Sequence, residues 1–279
     1  MEKSLFVFIS GSSGVGKNTV ISNLMERNEN IEFLRSHTSR EPRIDDKKNV
    51  YYFVPSNEEF EKLINDGDIL EFDYFSDHYY GISIKEIQEQ AKKGRVVIKD
   101  LTVLGVSNVK EMMKDQLEMV SVFLTADKKV LKDRLIKRKT EKAEIKKRLR
   151  EYGHEQDQML SYEYVIYNNN LEKTLEKMEA IINSSTNHLP LLTLQSCQHA
   201  RHKKIEKFAN LLNKGKKLKP IKVVTINGQI YLIEGINEYL AHLKTGKHIN
   251  LIFTENYRNT KPDENNLKEF EKLTKLYNK

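Results

Sequence analysis

Residues 11–19 read GSSGVGKNT, set after the apolar run 5–9 and before the helix-like stretch 19–25. Gly11, Gly14, Gly16 and Lys17 fall at the offsets of a phosphate-cradling loop, in the strand-to-helix context that such a loop needs. Backbone N–H groups along the loop, Ser13 and Val15 included, converge on a polyphosphate. The following helix adds the positive end of its dipole, and Lys17 adds a movable charge for the β- and γ-phosphates. The expected ligand is a nucleoside triphosphate, since a turn that merely joined strand to helix would have no use for this set of four. The commonest form of the loop places Ser or Thr directly after the lysine to hold Mg²⁺. Here that place is Asn18 with Thr19 next, so Thr19 is the expected Mg²⁺ hydroxyl.

A chain of 279 residues is long for one domain and comfortable for two. Its 38% hydrophobic and 31% charged content describe a soluble globular protein. No apolar run approaches 18 residues, and the short one at the N-terminus leads straight into the loop, which predicts neither a secretory leader nor a membrane span. The single cysteine, Cys197, can form no intrachain disulfide and no cysteine–zinc cluster, in keeping with a cytoplasmic protein. The eight histidines, His37, His78 and His154 among them, show no metal spacing.

Alternating strand-like and helix-like segments predict an α/β protein with a doubly wound parallel sheet. The strands are expected at 5–9, 51–54, 96–99, 120–124 and 164–166. The helices are expected at 17–27, 57–66, 84–93, 105–113, 128–137, 143–159 and 171–182. Ligands of such sheets bind at the carboxyl ends of the strands, where the loop after Ile9 and the side chain of Asp100 would lie. Charge then divides the chain. Residues 189–279 hold 17 Lys+Arg against 8 Asp+Glu, a net +9, whereas the first 188 carry −2. The turn-forming stretch NSSTNHLP at 183–190 supports a boundary there, giving domains 1–187 and 188–279. In the second, a helix at 200–213, a hairpin of strands 221–226 and 230–233 about Asn227-Gly228, a helix at 236–244 and a strand at 249–253 are expected. The tail should form a capping helix on a stripe of Leu267, Phe270, Leu273 and Leu276.

A phosphate loop identifies only a nucleotide, so the chemistry must come from its company. Arg40 and Arg43, three apart around Pro42, form a pair of planar forks suited to a dianionic phosphate. Beyond them lie Tyr51 and the run LEFDYFSDHYYG at 70–81, which mixes a carboxylate with hydroxyl donors. With these motifs residues 1 to about 185 resemble a guanylate kinase: the phosphate loop, the SHTSREPR run at 36–43, the YYF strand at 51, the segment ending in Tyr79-Tyr80-Gly81, Asp100 after the next core strand, and an arginine-rich stretch at 134–150.

The resemblance implies a P-loop nucleoside monophosphate kinase that transfers phosphate from ATP to GMP or dGMP with Mg²⁺. Ser36, Arg40, Arg43, Tyr51 and Tyr80 match the residues that hold the acceptor phosphate, and Glu71 the carboxylate that reads guanine. Guanine presents adjacent donors at N1 and N2, and a carboxylate accepts from both. Asp100 matches a carboxylate near the transferred phosphoryl, and Arg134, Arg138 and Arg148 match arginines that close over ATP. Lys17, the arginines and Mg²⁺ would supply the charge neutralisation that phosphoryl transfer requires, with the helices that carry the arginines closing as a lid. Three positions depart from the family pattern. Ile82 stands where Ser or Thr meets guanine O6, Thr102 where a second aspartate is usual, and Leu104 where Gln is usual. They leave room for a kinase of another nucleotide or a phosphorylated sugar. A third reading, a guanylate-kinase-like scaffold without activity that binds nucleic acid, is opposed by the intact Lys17, Arg40, Arg43 and Asp100.

Residues 188–279 resemble, more distantly, the ParB-like or sulfiredoxin-like fold, on the segment around Glu234, Gly235 and Asn237. Glu238 stands where that fold carries an arginine, which disfavours phosphate binding in a smaller α+β accessory domain. Its basic clusters 201–204 and 214–219 would suit nucleic acid, as they would a solvated lysine-rich face.

Overall fold

The computed structural model describes residues 3–12, 14–44, 46, 50–255, 257 and 262–278, and among them all side chains but those at 147, 151 and 154–156. Contacts divide the chain into two compact units, residues 1–10 with 17–121, and residues 11–16 with 122–279.

In the first unit β1 (Leu5–Gly11), almost wholly apolar, is followed through the glycine loop by α1 (Lys17–Arg27), which buries Val20, Ile21 and Leu24. Next come β2 (Ile31–Phe33), β3 (Ser36–Thr38), β4 (Tyr51–Phe53), α2 (Asn57–Asn65), β5 (Ile69–Phe75), β6 (His78–Ser83), α3 (Ile84–Ala91), β7 (Val96–Asp100) and α4 (Val103–Met113). Strand β7 runs parallel to both β1 and β2, and Val96, Val97 and Ile98 are buried, as parallel strands covered by helices require. The pairing sets Asp100 opposite Ile9, at the carboxyl end of β1. The remaining strands form a separate four-stranded sheet, β4-β3-β6-β5. Of these only β4 is legible as a strand. The polar β3 and the aromatic, charged β5 and β6 carry no apolar alternation, and their pairing is what makes them strands.

The second unit begins with the loop and continues with β8 (Glu118–Thr125), α5 (Lys128–Lys137), α6 (Lys142–Gln158), β9 (Tyr164–Tyr167), α7 (Leu171–Thr186), β10 (Leu192–Thr193), α8 (His202–Asn213), β11 (Ile221–Ile226), β12 (Gln229–Glu234), α9 (Ile236–Thr245), β13 (Leu251–Phe253) and α10 (Glu264–Tyr277). Its strand order is β10-β12-β11-β13-β9-β8, parallel except at the β11–β12 hairpin, whose turn places Asn227 at φ 49° and Gly228 at φ 74°. The sequence boundary near 187 falls between α7 and β10. Across it, β13 pairs with β9, and Asn250 donates from Nδ2 to the carbonyl of Tyr162 (2.7 Å). The tail is helical as expected, but its buried stripe ends on Tyr277 while Leu276 is exposed. Tyr277 lies four residues past Leu273, just over one turn, and its ring packs against His202 with its hydroxyl 2.9 Å from His202 Nδ1.

Candidate functional site

The loop is built from below by the second unit. Gly11 has φ 145°, and a side chain there would run into the carbonyl of Leu124. Gly16 has φ 101°, with the side-chain amide of Asn168 3.1 Å from where its Cβ would be. Only glycine meets both demands without strain. Val15 is fully buried, and its carbonyl is held twice, by Arg134 Nη1 (2.9 Å) and Asn168 Nδ2 (2.8 Å). Arg134 Nη2 also donates to the carbonyl of Asn168 (2.8 Å), and Thr174 Oγ1 donates to Asn168 Oδ1 (2.9 Å). Asn168 thus ties the loop to the end of β9, a role that nothing in the local sequence announces. The guanidinium of Arg134, matched above to an ATP arginine, is spent on the carbonyls of Val15 and Asn168, and burial pulls its pKa down. Ser12 Oγ is buried and without a hydrogen-bond partner among the described residues. Ser13 lies outside the described residues.

Helix α1 begins at Lys17, directly after the loop in sequence. Asn18 and Thr19 are exposed in its first turn, and Lys17 is half-buried. Among the described residues no three His, Cys, Asp or Glu side chains gather as a metal site. Arg138 is exposed at the end of α5, and Arg148 on α6 pairs with Glu144 (2.7 Å).

Of the residues matched above to the acceptor phosphate, Arg40 and Arg43 lie in the loop after β3, while Ser36, Tyr51 and Tyr80 fall on the four-stranded sheet of the first unit. Its register sets Ser36 opposite Tyr51 and Thr38 opposite Tyr80. The Tyr51 and Tyr80 rings lie edge to face at 6.3 Å, with the Arg40 guanidinium 5.2 Å from the Tyr51 centroid. Arg40 is only 6% exposed. Asp46, which sequence reasoning missed, grips it through both carboxylate oxygens (Nη2–Oδ1 2.7 Å, Nη1–Oδ2 3.1 Å) and also accepts the backbone N–H of Arg43 (2.7 Å). That contact holds the Asp46 carboxyl below the usual range. The Arg43 side chain itself is exposed. Nearby, Ser39 donates to Asn57 and accepts the backbone N–H of Tyr79 (2.9 Å), which ties β6 to α2.

Glu71 on β5 is buried, with Ile82 of β6 opposite it in register. Burial pushes its pKa up, Asp73 adds to the rise, and Lys99 and the Thr102 hydroxyl oppose it. Thr102 caps α4, accepting the N–H of Gly105 (3.0 Å), and any side chain at Gly105 would collide with the Glu71 carboxylate. Ser83, one step beyond Ile82, caps α3 with its hydroxyl. At the end of β7, Asp100 stands beside Lys99 (3.2 Å). Ser36, Arg40, Tyr51, Glu71, Tyr80 and Asp100 therefore all belong to one unit.

In residues 188–279 the segment around Gly235 is closed by its own chain. Gln195 Oε1 accepts the N–H of Ile236 (3.0 Å), while Asn237 bonds to the N–H of Arg201 (2.8 Å) and the carbonyl of His199 (3.0 Å). Glu234 pairs with Lys222 (2.7 Å). These partners occupy the helix start that a phosphate would need. Cys197 is buried and its thiol is pushed up to about 11, which leaves it unreactive.

Comparison with known proteins gives one answer. A profile described as guanylate kinase matches residues 3–185. A guanylate kinase of Shouchella clausii is 34% identical over 213 residues, 76% of this chain and 97% of its own. One of Campylobacter jejuni is 36% identical over 179 residues, 63% of this chain and 86% of its own. The crystal structure of guanylate kinase from Anaplasma phagocytophilum superposes with a TM-score of 0.52 at 27% identity, covering 66% of this chain and 87% of that one.

Proposed function

The chain belongs to the guanylate kinase family, and we propose that it carries the γ-phosphoryl group of ATP to the phosphate of GMP or dGMP. One observation carries the residue assignment: the small sheet of the first unit carries two tyrosines and a buried carboxylate, and the buried Arg40 just past β3 lies against Tyr51. The acceptor phosphate is held by Arg40, Tyr51, Tyr80 and Ser36, with the exposed Arg43 joining when the dianion arrives. Asp46 fixes the Arg40 fork in advance, so binding need not order it. Glu71 accepts from guanine N1 and N2. Neither Ile82 nor the capping Ser83 donates to O6, so base reading rests on the carboxylate edge.

On the donor side, the loop of Gly11, Gly14, Val15 and Gly16 holds ATP, with Lys17, Arg138 and Arg148 offsetting phosphate charge and Arg134 keeping the loop in shape. Mg²⁺ suits this arrangement as an ion held mainly by phosphate oxygens with the Thr19 hydroxyl, and when bound it neutralises charge on the transferring group. Asp100, at the carboxyl end of β7, would stand near the transferred phosphoryl and Mg²⁺, whose charge offsets its own. Lys17→Ala should lower turnover about a thousandfold. Arg43→Ala should raise the GMP KM and lower kcat by about tenfold each, with the ATP KM unchanged. An Arg43→Ala enzyme weakened toward ATP and not toward GMP would refute the assignment.

A second reading concerns residues 188–279 as an accessory domain with a nucleic-acid surface. In residues 201–222 the only acid, Glu206, is taken by Lys244, while Lys203, Lys204, Lys207, Lys214, Lys216, Lys217 and Lys219 are exposed. Salt-sensitive retention of single-stranded RNA by the full chain supports it, and no retention at low salt removes it.

A further inference from the structure

Glycine is, after proline, the residue least suited to a helix, yet α4 carries one, buried, in its first turn at Gly105. Its surroundings explain the choice. A Cβ placed there would overlap Glu71 Oε1, stand 2.7 Å from Glu71 Cδ and lie 3.2 Å from Thr102 Oγ1. The carboxyl group therefore rests directly on the bare Cα of the helix. Gly81 of β6 does the same for the main chain of this glutamate, since a Cβ at Gly81 would stand 2.7 Å from the Glu71 carbonyl oxygen. Backbone and carboxyl of Glu71 are thus each seated against a glycine, in a residue only 8% exposed. Close packing of that kind fixes a side chain, and even one added methyl group is felt.

The start of α4 suits an anion. Its first-turn N–H groups have no acceptor within the helix, and its dipole is positive at this end. Thr102 Oγ1 accepts the Gly105 N–H (3.0 Å), which leaves the hydroxyl proton for an acceptor beside it. We propose that Gly105 is a specificity-determining residue for the acceptor base: having no side chain, it lets the Glu71 carboxylate lie against the first turn of α4, and so sets where guanine N1 and N2 must come to meet it. The inference rests on the assignment of GMP as acceptor and of Glu71 as its base-reading group.

Two measurements on the full chain test it, one of which needs no substrate. In steady-state assays with GMP and with IMP, which lacks the 2-amino group, Gly105→Ala should lower kcat/KM for GMP about a hundredfold and the GMP to IMP ratio about tenfold, with the ATP KM within about twofold of wild type. Glu71→Asp shortens the carboxylate by one methylene, so it should lower that ratio in an otherwise wild-type chain and recover part of it in the Gly105→Ala protein. In thermal melts, alanine for glycine in a helix should raise the melting temperature by about 2 °C where nothing obstructs the methyl group. Gly105→Ala should do so in a Glu71→Ala background and should lower the melting temperature when Glu71 is present. A Gly105→Ala enzyme that keeps the wild-type GMP to IMP ratio, or an equal gain in melting temperature with and without Glu71, would overturn the proposal. A wild-type enzyme that ignores GMP would instead overturn the functional assignment, and the melts would still report whether methyl and carboxylate collide.

Discussion

In the proposed assignment Glu71 concentrates the chemistry of base recognition in one side chain. Burial raises its pKa, and only the ionised form accepts from both guanine donors. As pH falls through that raised value the site loses its charge, so kcat/KM for GMP should decline on the acid side from above the ordinary glutamate range of about 4.3. Glu71→Gln should abolish this limb and lower kcat/KM for GMP roughly tenfold to a hundredfold, because one guanine donor is left facing an amide N–H. A pH–rate profile of both proteins checks this, and an identical acid limb in Glu71→Gln would assign the titration elsewhere. Some residues of the site could be read in advance because their chemistry is tied to local spacing, as with Lys17 beside its glycines or Arg40 and Arg43 around Pro42. Asp46 could not. It sits among other charged residues, and its meaning appears only when the backbone turns it onto Arg40.

Among the elements, the phosphate loop depends on parts far from it in sequence. Its shape is set by Asn168, 153 residues from the carbonyl it holds, and by Arg134, 119 residues away. Arg134→Met should therefore raise the ATP KM several-fold and leave the GMP KM near wild type, read from initial rates with each nucleotide varied. A change confined to GMP would contradict the girder role. Helix α4 offers a second test. Thr102→Val removes a cap, which should cost about 1 kcal/mol in chemical denaturation, and it also removes the hydroxyl beside Glu71. The helices and β1 were legible because apolar periodicity and end signals are local. Strands β3, β5 and β6 were not, since their side chains show no apolar alternation and only cross-strand pairing orders them.

At the scale of the whole chain, residues beyond 187 are joined to the preceding sheet by hydrogen bonds. Strand β13 pairs with β9, Lys177 and Lys173 both meet Glu255 (3.1 and 2.5 Å), and α7 packs on β11 and β12. Charge distribution and turn formers suggested a boundary, but they could not reveal this continuity, which depends on strand order. Truncation after residue 187 should expose the edge of β9 and the buried face of α7 around Ile181, lowering the melting temperature by about 10 °C and promoting aggregation. An unchanged melting curve would mean that the two parts are stable independently. The central claim, that this fold passes phosphate from ATP to a guanine nucleotide, is tested most directly by ADP formation from purified full-length protein with ATP, Mg²⁺ and a panel of GMP, dGMP, AMP, CMP, UMP and sugar phosphates. The account predicts rapid ADP release with GMP and dGMP and at least a hundredfold lower kcat/KM, roughly, with the others. A folded protein that leaves GMP untouched, or that prefers another acceptor, would contradict it.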